Sequence, residues 1–433
     1  MQMRVALFCV GALACCATAW AGAPQPFSEN LTLDWDGFRN ALLEEGIDFR
    51  VGYVSETATN VKGGPEEDWS YTDQWTFLGI LDLQTLLDLH EAKLRLAITD
   101  RNGHNLSDAD HLNDLQLVQE VYGRGQTWRL TQFWYDQLYF NDHLDWKIGR
   151  ITDGEDFAAF NCQFQNLTFC GAPVGNIVGS YWYNWPVSQW ATRLKLSVTG
   201  FGYVELGAFE VNPNYLLTGH GLSFGDPGGA TGVLVPFEIG WLPTFGPGYD
   251  GSYKFGGWYN SNRAPDVVNN TQGLPLAIDG GTPEMHNGQY GAYVNFLQRV
   301  LAPAGADSPR GLKVFFNATF ADRSTSTLDN QVALGLFYTG PLASRPADEL
   351  GFGIGRTHVN NRVGEVERLQ NALSFAAGPV AVQSSEYEAE IYYNFGVTRW
   401  LNLRPNVQYI NQPGGIARAS AQVVLGLKLA ANF

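Results

Sequence analysis

The chain has 433 residues, with 27 Lys+Arg against 43 Asp+Glu, a formal charge of −16 and only 16% charged residues, well below the roughly 25% of an average soluble protein. So acidic a chain repels phosphate backbones, which argues against nucleic acid, and a mean hydropathy of −0.15 excludes a bundle of membrane helices but not a membrane β-barrel. Aromatic and aliphatic residues run through the whole length, with Trp, Tyr and Phe at 13%, so disorder is excluded too.

At the N-terminus, Arg4 precedes an apolar run, Val5 to Ala17, and two small-x-small sites, Ala19-Trp20-Ala21 and Ala21-Gly22-Ala23. A basic start, an apolar stretch and such a site make a secretory signal peptide, and the stretch falls short of the about 20 residues a helical anchor needs. The expected organisation is a signal peptide over 1–21, an N-terminal segment with a short helix over 22–46 and a barrel over 47–433. Cleavage after Ala21 would remove Cys9, Cys15 and Cys16 and leave a charge of −17. Cys162 and Cys170 then suit one disulfide closing a short loop in an oxidising compartment. A two-Cys metal site is disfavoured, because no His lies close to either.

Within 22–46 one helix stands out, Asp36 to Glu45. Asp34 or Asp36 can cap it, Phe38, Ala41 and Leu42 share a face, and Gly46 ends it. Beyond it come stretches of two-residue alternation separated by Gly, Pro, Asn and Asp clusters. About sixteen are expected as strands: 47–56, 74–84, 90–101, 127–140, 143–150, 190–200, 201–212, 235–245, 251–261, 288–300, 310–322, 331–340, 349–358, 385–398, 401–411 and 420–433. The gaps at 151–189, 213–234, 262–287 and 359–384 are expected as loops.

The last stretches are the cleanest. Tyr387, Ala389, Ile391, Tyr393, Phe395 and Val397 alternate with Glu386, Glu388, Glu390, Tyr392, Asn394 and Gly396, and Leu401, Leu403, Val407 and Tyr409 with Asn402, Arg404, Asn406 and Gln408. In the final one, Val423, Leu425, Leu427, Leu429, Ala431 and Phe433 share a face, while Val424 is the apolar exception among Gln422, Gly426, Lys428 and Asn432. A soluble sandwich and a porin both alternate in this way. The signal peptide and an apolar strand ending in Phe433 tip the choice to an all-β, transmembrane antiparallel barrel, with Phe433 at the interface girdle.

Several stretches resemble the carbohydrate-selective outer-membrane porins, the glucose-porin type of Gram-negative bacteria. They include Gly149-Arg150 with Gly154-Glu155-Asp156-Phe157, Cys162-Gln163-Phe164-Gln165-Asn166 closing at Phe169-Cys170-Gly171, and Tyr183-Asn184-Trp185-Pro186-Val187-Ser188-Gln189-Trp190. Glu210-Val211-Asn212-Pro213, Val235-Pro236-Phe237-Glu238-Ile239-Gly240-Trp241 and Trp400-Leu401 with Arg404-Pro405 and Gln408-Tyr409-Ile410 extend the match over nearly all of the mature chain. Arg399 stands where the family pattern has Pro. The resemblance implies a 16-stranded barrel that passes glucose and other small carbohydrates by facilitated diffusion, without cofactor or metal.

A sugar pore needs charges and amides to exchange hydrogen bonds with hydroxyls, and rings to stack on sugar faces. The 151–189 loop carries Trp182, Tyr183, Asn184 and Trp185, and a Cys162–Cys170 bridge would stiffen it as a constriction. By parity, Leu94, Leu96 and Ile98 face lipid, which turns Lys93 and Arg95 into the lumen with Ala97 and Thr99. Glu388, Glu390, Arg404, Asn406 and Gln408 face it likewise. The expected partners are small neutral sugars and outer-membrane lipid, and both a homo-trimer and a monomer stay open.

Enzyme readings fare poorly. Gly221-Leu222-Ser223-Phe224-Gly225 has the nucleophile-elbow pattern, but Asp226-Pro227-Gly228-Gly229 follows where a helix is required. Asp100, Asn102, Gly103, Asn105 and Asp108 miss the spacing of a calcium loop, and the seven His are scattered without ligand spacing. Two alternatives to a sugar porin are carried forward: a general or cation-preferring porin, and a secreted all-β carbohydrate-active enzyme or binding protein.

Overall fold

The structure is a computed structural model that describes residues 29–433 except 65–67, 304, 306–307 and 375–377. The expected signal peptide lies outside the described residues. Sixteen antiparallel strands follow one another around a single closed barrel, and β1 pairs with β16 to complete it. The first eight are β1 Ile47–Lys62, β2 Trp69–Asp82, β3 Ala92–Gly103, β4 Trp128–Tyr139, β5 Leu144–Ile151, β6 Gln189–Val198, β7 Gly202–Val211 and β8 Gly232–Trp241. The rest are β9 Gly251–Asn270, β10 Pro283–Leu301, β11 Gly311–Ala321, β12 Leu328–Thr339, β13 Glu349–Val359, β14 Ser385–Gly396, β15 Leu401–Asn411 and β16 Gln422–Asn432. Each overlaps one stretch expected from alternation.

The parity is inverted relative to a soluble sandwich. On β14, Tyr387, Ile391 and Phe395 are 44, 46 and 40% exposed on the outer face, whereas Glu388 and Glu390 are 3 and 1% exposed. Val407 and Tyr409 of β15 are likewise outside, and Arg404, Asn406 and Gln408 inside. Apolar out and polar in is the arrangement of a chain whose solvent is lipid. The connections 140–143, 199–201 and 397–400 are short turns on one rim, while 104–127, 152–188 and 360–384 are long loops on the other. In outer-membrane barrels these rims face the periplasm and the exterior respectively. An outward aromatic row, Trp241, Tyr253 and Phe296, follows the short-turn rim with centroids 5.2 and 5.3 Å apart. The Phe433 ring lies 5.3 Å from that of Trp75, and its N–H donates to Val51 O at 2.9 Å.

Three expectations need correction. The N-terminal helix, α1 Phe38–Glu44, is capped by Gly37 at φ 90° without a side-chain bond, not by Asp34 or Asp36. It buries Arg39 instead of its apolar face, because the barrel rim offers unpaired carbonyls. Arg39 donates to Phe49 O at 2.9 Å and to Phe433 O at 3.1 Å. The supposed loop 262–287 is mostly strand, since β9 and β10 run to 20 and 19 residues and project beyond their neighbours. In that projection polar and apolar residues mix on each face of β9, Asp266 with Val268 on one and Arg263 with Val267 on the other, so the two-residue signal vanishes. The supposed loop 359–384 contains a helix, Asn361–Ala372, whose Asn360 cap accepts from Arg362 N at 3.1 Å. Arg362 also spans both carboxylate oxygens of Asp266, at 2.9 and 3.0 Å, and latches the helix to the β9–β10 projection. Asp266, Glu284 and His286 stand within 4.8 Å of one another, but that guanidinium already occupies the carboxylate a metal would need.

The inverted parity predicts a lipid-dependent cost at Val407. Val407→Arg should lose about 2–4 kcal/mol of stability near the bilayer midplane, measured by urea unfolding in liposomes. A cost no greater in lipid than in detergent would remove Val407 from the lipid face.

Candidate functional site

Two loops fold into the lumen: 104–127 between β3 and β4, and 152–188 between β5 and β6. They fold inward because parts of the lumen face are apolar. Ala58, Ile410 and Val424 on the wall pack with Leu106, Leu112 and Val118 of the first loop. Val424, the apolar exception of the last strand, is therefore a seat for that loop. Phe315, Phe337 and Tyr392 take Phe160, Phe164 and Phe169 of the second, with Phe164 edge-on to Tyr392 at 5.0 Å. Burying one such ring stabilises by about 1.5–3 kcal/mol. The Cys162–Cys170 disulfide closes the turn that carries Phe164 and Phe169.

Polar wall groups then fix the register. Glu390 accepts Gln165 N at 2.9 Å and Asn166 N at 2.7 Å, and Glu386 accepts Leu115 N at 2.8 Å and Gly414 N at 2.7 Å. Arg404 donates to Gln163 O and lies 5.0 Å over the Tyr392 ring. Asn406 donates to Gln165 Oε1 at 2.8 Å, and Gln408 donates to Val118 O at 2.9 Å while accepting from Asn166 Nδ2 at 3.0 Å. Glu388 accepts Thr357 Oγ1 at 3.1 Å. The loops also bind each other, Glu120 N to Gln165 O at 3.0 Å and Leu167 N to Leu117 O at 2.9 Å.

Between the two loops lies a cavity of about 300 Å³, at the low end of small-molecule sites. Arg101, Glu120, Arg124, Glu155, Asn176, Asn184 and Trp185 line it. Arg101 donates to Gln74 Oε1 at 2.8 Å and to Gly123 O, and Arg124 to Gly179 O at 2.7 Å. Carbonyls thus orient both guanidinium groups. Trp185 Nε1 donates to Gln74 Oε1 at 3.0 Å, and Asn184 Nδ2 to Ala172 O at 2.9 Å. Gly154 and Gly175 pack on Asn184 so closely that a Cβ would come within 2.6 and 2.5 Å of it. Glu155 accepts from Gln132 at 2.7 Å and pairs with Lys147 at 3.1 Å. Donors and acceptors therefore share one narrow wall.

Burial raises the proton affinity of two loop carboxyls. Burial pushes Asp153 well above the usual carboxylate range, against bonds from Tyr183 N at 2.5 Å and Gln189 at 2.8 Å. Burial likewise pushes Asp114 up to about 8, opposed by the Ser107 hydroxyl at 2.6 Å.

The sequence candidates separate into groups. Asn184 and Trp185 line the cavity. Trp182 does not: it is fully buried, 5.7 Å from Trp258 and 6.2 Å from Tyr293, in the core between loop and wall. A tryptophan with no free face cannot stack on a solute, which corrects its expected place at the constriction. Glu390, Arg404, Asn406 and Gln408 face inward and bind the loops, and Glu388 is buried beside them. Lys93 sits at the short-turn end of β3, and Arg95 lies 5.6 Å over the Trp134 ring. Arg101 is six residues further along β3 than Arg95, about 20 Å at 3.4 Å per residue. The parity that turned Lys93 and Arg95 inward reaches Arg101 in three more steps, so that residue was within the reach of sequence. Glu120 and Arg124 lie in an aperiodic loop and carry no such signal.

The profile of the carbohydrate-selective porins, the OprB family, matches residues 66–433. Porin B of Pseudomonas aeruginosa is 42% identical over 441 residues, covering 99% of this chain and 96% of its own length. The putative porin QuiX of Acinetobacter baylyi is 32% identical over 421 residues, with 92% of each chain covered. The high-pH structure of Pseudomonas putida OprB superimposes with a TM-score of 0.90 at 44% identity, over 95% of this chain and 100% of that one. With its closed barrel and its looped constriction, the chain belongs to the carbohydrate-selective OprB porin family and is an outer-membrane sugar porin.

Proposed function

We propose that neutral sugars of monosaccharide size diffuse passively through the cavity between the two loops. The observation that carries this reading is the combination, on one passage of about 300 Å³, of Arg101 and Arg124 as donors, Glu120 and Glu155 as acceptors and the Trp185 ring. Sugar hydroxyls donate and accept, and a C–H face stacks on a ring, so this lining matches a polyol better than an ion of either sign. Binding through a few such contacts stays weak enough for release, as conduction requires. Flux follows the gradient, no chemistry is performed, and no cofactor is implied. A leader cleaved after Ala21 is supported by Arg4 and the run from Val5 to Ala17.

Single-channel conductance in a planar bilayer, recorded during titration with glucose and then with an oligosaccharide, tests this. Conductance should fall saturably with glucose and respond little to the larger sugar. Arg124→Ala and Trp185→Ala should each weaken the block about fivefold to tenfold, the loss of about one hydrogen bond or stacking contact. Conductance indifferent to glucose would move the function to a general porin.

The latch at Glu390 makes a separate prediction. Glu390→Ala leaves the buried N–H groups of Gln165 and Asn166 without their acceptor, at about 1–3 kcal/mol each. The channel should conduct more, with noisier steps, and admit larger sugars, while the folded barrel keeps its gel mobility. Quiet recordings of wild-type size would show that the loop does not depend on this carboxylate.

Asp114 adds a pH dependence. Its folded value of about 8 exceeds the ordinary 3.8, so its contribution to stability is complete below 3.8 and is lost as pH rises through about 8. Loop 104–127 should loosen over that range, seen as current flicker that grows as pH rises toward about 8 in wild type and levels off above it. Asp114→Asn should abolish that growth, and flicker unchanged by the substitution would assign it to another group.

A further inference from the structure

Both constriction loops meet the wall at Lys428, on the lumen face of β16. Its ammonium lies 2.8 Å from Glu120 Oε1, 3.0 Å from Glu56 Oε1 and 3.0 Å from the carbonyl of Phe164. An ammonium has three donors; here two of them bond one loop at Glu120 and the other at Phe164, and the charge also pairs with Glu56 on the wall. Glu56 in turn accepts Val121 N at 3.1 Å, and Gln119 Nε2 donates to Glu56 O at 2.8 Å. The neighbours of Glu120 on both sides are therefore tied to β1. Lys428, Glu56 and Glu120 are all buried, so solvent does little to screen them.

We propose that Lys428 is the positioning residue that sets the selectivity of the constriction. It holds the Glu120 carboxylate against the cavity wall, where it can accept from solute hydroxyls, and it offsets one of the two carboxylates that passing solutes meet. Without the ammonium, Glu56 and Glu120 cannot both stay charged side by side in a space of low dielectric, so one takes a proton or their carboxylates move apart. Of the two, Glu120 is the one that borders the cavity, so its side chain is the one whose change reaches solute. The proposal rests on the reading of this cavity as the sugar passage, and two readouts keep their failures apart.

The test compares wild type, Lys428→Met and the double variant Glu56→Gln/Lys428→Met in planar bilayers. One readout is the reversal potential in a KCl gradient, the other the glucose block of conductance. Recorded in alkaline buffer, where neither carboxylate keeps a proton, Lys428→Met makes the group one unit more negative. It should move the reversal potential toward the cation side and weaken the glucose block about tenfold. The double variant restores the net charge of the group. It should return the reversal potential to wild type and recover part of the block. A reversal potential unmoved in Lys428→Met overturns the proposal. A double variant as displaced as the single one also overturns it, since a purely structural peg would not respond to charge balance. Should Lys428→Met fail to fold, Lys428→Arg keeps the charge and alters the reach. A wild-type reversal potential with a changed glucose block is then expected, and no change in either readout overturns the proposal. Wild type indifferent to glucose would sink the sugar reading alone, leaving the reversal potentials to judge Lys428.

Discussion

Inside a bilayer no water is present to satisfy a backbone N–H or C=O, and each one left unpaired costs several kcal/mol. Only a ladder without edges escapes that cost, and pairing β1 with β16 supplies it. Much else follows from closure. Because the outer face meets lipid, apolar residues such as Ile391 and Val407 turn outward and Glu390 and Arg404 turn inward. At the short-turn rim, where the ladder runs out, Arg39 takes up carbonyl oxygens of Phe49 and Phe433.

A polar lumen poses a second problem, how to hold loops inside it. The barrel uses two devices together. Islands of apolar surface, around Val424 and around Tyr392, give the loops something to bury. Carboxylates and amides between those islands then satisfy loop N–H and C=O groups that would otherwise be stranded, as Glu390 does for Gln165 and Asn166. Apolar contact supplies adhesion without direction, and hydrogen bonds supply register. Together they hold two loops inside a barrel wide enough for an aqueous channel, with a cavity of about 300 Å³ between them.

The charged side chains of that cavity are each held by fixed partners, Glu155 by Lys147 and Glu120 by Lys428. Carbonyls of Gly123 and Gly179 orient Arg101 and Arg124. Glu120, opposite in sign, is steadied by an ammonium that it shares with Glu56. Donors and acceptors thus line one cavity together.

Much of this was legible in the chain alone. Period-two alternation placed all sixteen strands, because side chains in a strand must point alternately to lipid and to lumen, and the same rule put Glu388, Glu390, Arg404, Asn406 and Gln408 inside. The alternation gave out in the projection of β9 and β10, where Val267 and Val268 follow each other among polar residues. Which tryptophan of the 152–188 loop would meet solute was beyond it: Trp182 and Trp185 are alike in sequence, and only the packing of Trp258 and Tyr293 over the former distinguishes them. Glu120 and Arg124 were hidden for a related reason. A loop has no period, so its side chains are aimed by what it lands on. Sequence determined the barrel, its inside and its outside, because those obey a local rule repeated at every second residue. The constriction was decided by tertiary structure, because it is made where two loops and the distant strands β1, β3 and β16 come together, and no spacing along the chain encodes that meeting.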